Sequence, residues 1–205
     1  MNKVLIIGSN SFAGSDFADY LLSKKFKVFG VSRNKEINKE HLRYKNNINL
    51  KNFKFFKIDL NLKKDLNKLI NEIKKQKINY IVNFAAQGMV AESWINPEDW
   101  YLTNVVSNSI LIKELSKLKI KKYLNFSTPE VYGHTSSLMK ESNIFSPTTP
   151  YAISRSAQDL NLFAHYKTYN FPVVFTRAAN IYGPYQQSFR IIPKIIISIL
   201  TNKTI

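Results

Sequence analysis

The stretch Lys3–Lys25, "KVLIIGSNSFAGSDFADYLLSKK", decides how the chain folds. It opens with a short β-branched run that stops at Gly8, the pattern of a strand buried on both faces of a parallel sheet. Phe17–Lys25 then carries apolar residues at helical spacing. Between the two lies "GSNSFAG", with Gly8 and Gly14 six residues apart. A strand, a glycine-bearing turn and a helix N-terminus together hold a pyrophosphate on backbone N–H groups. Ser11 stands where a G-x-x-G-x-x-G turn has its middle glycine, and its small side chain still lets the backbone come close. Gly8, Asn10, Ser11, Phe12 and Gly14 are therefore the expected dinucleotide contacts of this turn.

The same alternation runs down the chain. Strands are expected at "FKVFGVS" (26–32), "FKFFKID" (53–59), "NYIVNFAA" (79–86), "KKYLNFST" (121–128) and "FPVVFTR" (171–177). Between the second and third strands, residues 34–52 read as a polar, lysine-rich loop with room for one short helix. Helices are expected over 63–76, where Leu66, Leu69, Ile70 and Ile73 share a face, and from Pro97 to about Lys117. Another runs from Tyr151 to about Asn170, and a last one starts at "RIIPKIIISIL" (190–200). Alternating strands and helices imply right-handed crossovers and a Rossmann-type doubly wound parallel α/β sheet. The expected strand order is 3-2-1-4-5-6, with a ligand crevice at the carboxyl ends. Residues 1–176 read as the dinucleotide-binding domain and 177–205 as the start of a truncated substrate-binding region, the C-terminal substrate domain being largely missing.

Composition narrows the function. The chain has 205 residues and no cysteine, so it has neither a disulfide framework nor a thiolate metal site. No apolar run approaches the roughly 20 residues that span a bilayer, and a cytoplasmic location is expected. Thirty Lys and Arg against 14 Asp and Glu give a net charge of +16. The lysines are scattered among Asn and Ile rather than gathered into a block, as AT-rich coding produces, so neither nucleic acid nor membrane is the expected partner. A positive field still favours an anionic substrate.

Strand ends supply the remaining cofactor residues. An acid at the end of the second strand usually takes the ribose 2′-hydroxyl of NAD. Here "GVSRN" offers Ser32 and Arg33, with no acid before Glu36. Arginine accepts a 2′-phosphate, so NADP is favoured over NAD. "KIDL" offers Asp59 and Leu60 to the adenine, and "NFAAQG" sets Ala85, Ala86 and Gln87 against the cofactor.

"SPTTPYAISRSAQDL" (146–160) carries the candidate chemistry. Tyr151 begins a helix and Arg155 follows four residues later, on the same face. A cation there stabilises a phenolate and makes Tyr151 a usable base; taken alone, the segment reads first as a surface pair. Thr128, at the end of the fifth strand and 23 residues before Tyr151, comes to the same crevice by topology.

"NFAAQG", "SWINPEDWYLTN", "STPEVYG", "TPYAISRSAQDL" and "TRAANIYGPYQ" together resemble the extended short-chain dehydrogenases/reductases of the NAD-dependent epimerase/dehydratase family. Within it they are similar to the nucleotide-sugar 4,6-dehydratases of the GDP-mannose and dTDP-glucose types. The resemblance implies that Tyr151 takes the proton of a sugar 4-hydroxyl as its C4 hydride passes to the nicotinamide, with Thr128 bonded to the same oxygen. Arg155 falls where the family has a lysine that holds the nicotinamide ribose; arginine keeps the charge and changes the geometry. Glu130 would remove the C5 proton, after which water leaves from C6 and the hydride returns there. Pro129 replaces an acid or hydroxyl residue and leaves the acid step unassigned. Asn180 would lie near the substrate diphosphate and Arg190 near its nucleotide. The helices at 97–117 and at Tyr151 would pair across a two-fold axis in a homodimer. Two alternatives stay open: a nucleotide-sugar 4-epimerase, which would not need Glu130, and a non-catalytic NAD(P)-sensing protein with an altered Arg155 site.

Overall fold

The structure is a computed structural model that describes residues 2–136 and 138–204. Six parallel strands lie in the order β3-β2-β1-β4-β5-β6, as the alternation predicts: β1 (Lys3–Ile7), β2 (Lys27–Ser32), β3 (Phe53–Lys57), β4 (Tyr80–Asn83), β5 (Lys122–Ser127) and β6 (Val173–Arg177). The register places Ile7 beside Val31 and Asn83, Asn83 beside Asn125, and Ser127 beside Arg177. The residues that follow these positions therefore share one edge.

Alternate residues of each strand build two cores. Leu5, Ile7, Phe29, Val31, Ile81 and Tyr123 pack on one face beneath α2 (Lys63–Gln76), α4 (Asn108–Leu115) and α5 (Pro150–Tyr169). Leu66, Leu69, Ile70 and Ile73 of α2 are buried there as their spacing predicts, each side chain stabilising the fold by about 1.5–3 kcal/mol. Val4, Ile6, Val28 and Val82 pack on the other face against Ala18, Leu21 and Leu22 of α1 (Phe12–Ser23) and against Leu42 and Tyr44. Those last two come from the 34–52 stretch, which forms three short 3-10 turns rather than a loop with a single short helix. On the β4–β6 half of this face, Phe84, Leu124, Phe126 and Thr176 line an open groove with Phe12 and Tyr182.

Two helices differ from the sequence expectation. The first starts at Phe12, five residues earlier than the apolar periodicity indicates, because Ser11 caps it: the Ser11 side chain accepts from Gly14 N at 3.0 Å. The helix expected from Pro97 to about Lys117 begins at Pro97 and ends at Leu115, and it is not uniform. α3 (Pro97–Trp100) passes into a π-helical segment, Tyr101–Ser107, before α4. Such segments are rare and concentrate at functional sites. α6 (Ile191–Leu200) closes the described chain.

Candidate active site

Gly8 opens the cofactor side of the edge. Its φ is +90°, and a Cβ on it would lie 2.7 Å from Ala85 N, so only glycine fits. Gly14 is needed for a different reason: a Cβ there would sit 2.2 Å from the Gly8 carbonyl oxygen. Ser11 ties the turn together, with its N–H and its hydroxyl both donating to that same oxygen, at 2.9 and 2.7 Å. Asn10 fastens the turn to the neighbouring strand end. Its N–H donates to Ser32 Oγ at 2.9 Å, and its side-chain amide donates to the Lys35 carbonyl at 2.8 Å.

A cavity of about 290 Å³ opens above this turn. Gly8, Asn10, Ser11, Ser32, Arg33, Asp59, Leu60, Ala85, Ala86 and Gln87 all line it. Ten of the residues expected to meet the dinucleotide are thus brought together, with Arg33 exposed at the rim. Asp59 is partly committed to its own turn, one oxygen accepting from Asn61 N at 3.0 Å. Phe12 and Gly14 do not line the cavity: Phe12 faces the open groove on the other side of the sheet, and Gly14 acts through its contact with Gly8. Asn61 and Thr103, which no sequence motif marks, are among the further lining residues and bond to each other at 3.1 Å.

The catalytic candidates gather at the ends of β5 and α5. Thr128 is buried and caps the turn Pro129–Tyr132, its hydroxyl accepting from Glu130 N at 3.3 Å. Glu130 therefore sits exposed two residues beyond Thr128, and the desolvation of its carboxyl raises it above the ordinary glutamate range. Pro129 supplies the fixed φ of the first turn position. Tyr151 is half-buried at the start of α5, where Thr149 caps the helix and Ser93 Oγ accepts from Tyr151 N at 3.2 Å. Arg155 is only 2% exposed, which removes the surface-pair reading. Its guanidinium donates to the Phe126 carbonyl on β5, while Nε has no hydrogen-bond partner among the described residues. Asn180 and Arg190 lie on exposed chain after β6, and neither lines the dinucleotide cavity.

One buried asparagine joins the two halves and was not singled out from sequence. Asn104, in the π segment, accepts from Gln87 N at 2.8 Å and donates to the Gln87 carbonyl at 3.0 Å and to Ser154 Oγ at 2.9 Å. Ser154 in turn donates to the Tyr151 carbonyl at 2.7 Å. The cavity wall is thereby linked to the helix carrying Tyr151. Only the helix-breaking geometry of the segment marks Asn104 out, and no local pattern predicts it.

Residues 5–205 match the family model described as GDP-mannose 4,6 dehydratase. The dTDP-D-glucose 4,6-dehydratase of Dictyostelium discoideum is 36% identical over 222 residues, covering 99% of this chain and 49% of that protein. The chain thus spans about half the length of that relative. Among solved structures, the dTDP-glucose 4,6-dehydratase DesIV from Streptomyces venezuelae, with NAD bound, superposes with a TM-score of 0.86 at 28% identity, covering 99% of this chain and 63% of that one. A UDP-N-acetylglucosamine 4-epimerase from Methanobrevibacter ruminantium also reaches 0.86 at 28% identity, covering 99% and 64%.

Proposed function

The chain belongs to the GDP-mannose 4,6-dehydratase family, and we propose that it forms the cofactor-binding and catalytic part of a nucleotide-sugar 4,6-dehydratase. The observation that carries this reading is Glu130. A carboxylate stands one turn position beyond the Thr128 hydroxyl that would hold the sugar, and its raised affinity for a proton suits a base.

A nicotinamide dinucleotide fits the residues present. Gly8, at its positive φ, turns the chain from β1 to the N-terminus of α1, where a pyrophosphate would meet backbone N–H groups, and the cavity lined from Gly8 to Gln87 has room for the rest. Gly8, Asn10, Ser11, Ser32, Asp59, Leu60, Ala85, Ala86 and Gln87 would hold it, with Phe12 contributing through the first turn of α1. Arg33, exposed at the rim beside the ribose end, favours NADP over NAD. When bound, the group supplies a reversible hydride acceptor.

The chain's own residues do the rest. Thr128 donates to the oxygen at C4 and orients the sugar. Tyr151 removes the proton of that hydroxyl. Once C4 is a ketone the C5 proton is acidic, and Glu130 takes it as the hydroxyl at C6 departs as water. Pro129 has no proton to give that leaving group, so solvent water supplies it. Asn180 would meet the substrate diphosphate and Arg190 its nucleotide.

Assembly follows from the helix faces. Leu111 and Leu162 turn to the core, whereas Leu102, Val106, Ile110 and Leu160 remain exposed on the two helices expected to pair. A homodimer would cover them, and light scattering at micromolar concentration should give twice the chain mass.

Turnover of a nucleotide-sugar panel by the full chain tests the whole reading. A 4-keto-6-deoxy product is the expected result. The equal likeness to a 4-epimerase makes a C4 epimer the outcome that would replace it, and silence across the panel would leave a dinucleotide sensor.

A further inference from the structure

Asp159 lies on α5 four residues after Arg155 and eight after Tyr151, on the same stripe, and is 1% exposed. Its carboxylate is fully engaged. One oxygen accepts from Asn125 Nδ2 at 2.9 Å; the other accepts from Ser127 Oγ at 2.7 Å and from the Arg177 guanidinium at 3.1 Å. The contacts continue outward in two directions. Asn125 accepts from Asn83 at 3.3 Å, and Asn83 accepts from Ala85 N at 3.1 Å, in the wall of the dinucleotide cavity. Arg177 lies over the rings of Tyr132, Phe145 and Phe175 at 5.3, 5.1 and 5.5 Å, so it grips the turn that carries Glu130.

We propose that Asp159 is a positioning residue that locks the carboxyl ends of β4, β5 and β6 to the catalytic helix as one unit. Ser127 is the residue before Thr128, and Tyr132 closes the turn begun after it. A single buried anion thus sets Thr128 from one side and the Glu130 turn from the other, on the helix that also carries Tyr151. It does so against two guanidiniums: burial alone raises the carboxyl, while the Ser127 hydrogen bond and the charges of Arg155 and Arg177 pull it back. Arg155 and Arg177 bring two positive charges to one negative, which leaves the cluster with an excess cation beneath the crevice.

The proposal rests on the dehydratase reading for its kinetic test but has a second readout that does not. Asp159→Asn keeps the shape and removes the charge; Ser127→Ala, the milder variant, removes one hydrogen bond and leaves every charge. In the full chain with its dinucleotide and sugar nucleotide, Asp159→Asn should lower kcat at least about tenfold, with KM and dinucleotide affinity within about threefold, and Ser127→Ala should lower kcat about threefold. Amide exchange should quicken in 83–87 and 125–132 in both variants and stay unchanged in α2. An unchanged kcat with only a lower melting temperature would reduce Asp159 to a core residue and overturn the proposal. If the parent chain turns over no sugar nucleotide, the dehydratase reading fails on its own, and exchange confined to those two segments still decides whether Asp159 holds them.

Discussion

The two ends of the crevice are made by different means. On the cofactor side the phosphate turn is tied through backbone groups: Ser11 to Gly8 spans three residues, and Asn10 reaches Ser32 and Lys35 over 22 and 25. On the catalytic side they start from buried side chains and reach further along the sequence, 29 residues from Arg155 to the Phe126 carbonyl, 32 from Asp159 to Ser127, and 50 from Asn104 to Ser154. The first half is a shape that an added carbon would spoil. The second is a charge and hydrogen-bond pattern that an altered group would spoil, since an unpaired buried polar atom loses its full solvation.

The sharpest break comes at Tyr151. Tyr151→Phe removes the only proton acceptor assigned to the sugar 4-hydroxyl and should lower C4 oxidation about 10³-fold. Single-turnover absorbance of the reduced nicotinamide measures it, and a rate near the parent's would return Tyr151 to a packing role. On the cofactor side the matching break is steric. Gly8→Ala should destabilise the fold by about 3 kcal/mol, from the positive φ and the clash with Ala85 N together. Urea unfolding reads the loss, and a chain of parental stability would mean that the turn relaxes.

Glu130 separates chemistry from binding. Glu130→Gln should leave C4 oxidation in place and slow water loss about 10²-fold, with deuterium exchange at C5 stalling as well. Burial raises this carboxyl, and it must be ionised to act. Dehydration should therefore fail, as pH falls, at a higher pH than an ordinary glutamate would set. That limb in the kcat profile should vanish in Glu130→Gln. The smallest effect is expected at Arg33, exposed and held by charge alone. Arg33→Ala should weaken NADP about tenfold and NAD hardly at all; equal losses for both would detach Arg33 from cofactor choice.

The cofactor half was nearly all legible in sequence because its determinants are neighbours. "GSNSFAG" predicted the turn, and "GVSRN", "KIDL" and "NFAAQG" predicted residues that do line one cavity. What it hid was the use of Ser11: a replacement for glycine in the motif is also the helix cap, a role that depends on where the helix begins. In the catalytic half the sequence indicated Thr128 and Tyr151 through their order, and Glu130 through the family resemblance. It predicted a charge at Arg155 but not its inward course to Phe126, nor the bonds of Asn104 and Asp159. Those depend on which strands end side by side, and a pair separated by 50 residues leaves no periodic trace.

The π-helical segment Tyr101–Ser107 carries one more consequence. Its wider turn lets Asn104 meet Gln87 and Ser154 while Ser107 donates to Asn61 Oδ1 at 2.7 Å. In an α-helix each residue advances the chain by about 100°. Removing a single residue between 101 and 107 would swing α3 by about that angle against α4 and carry Asn104 or Ser107 away from its partners. This stretch is a measured length, a spacer that accepts exchanges of side chain far more readily than a change in the number of residues.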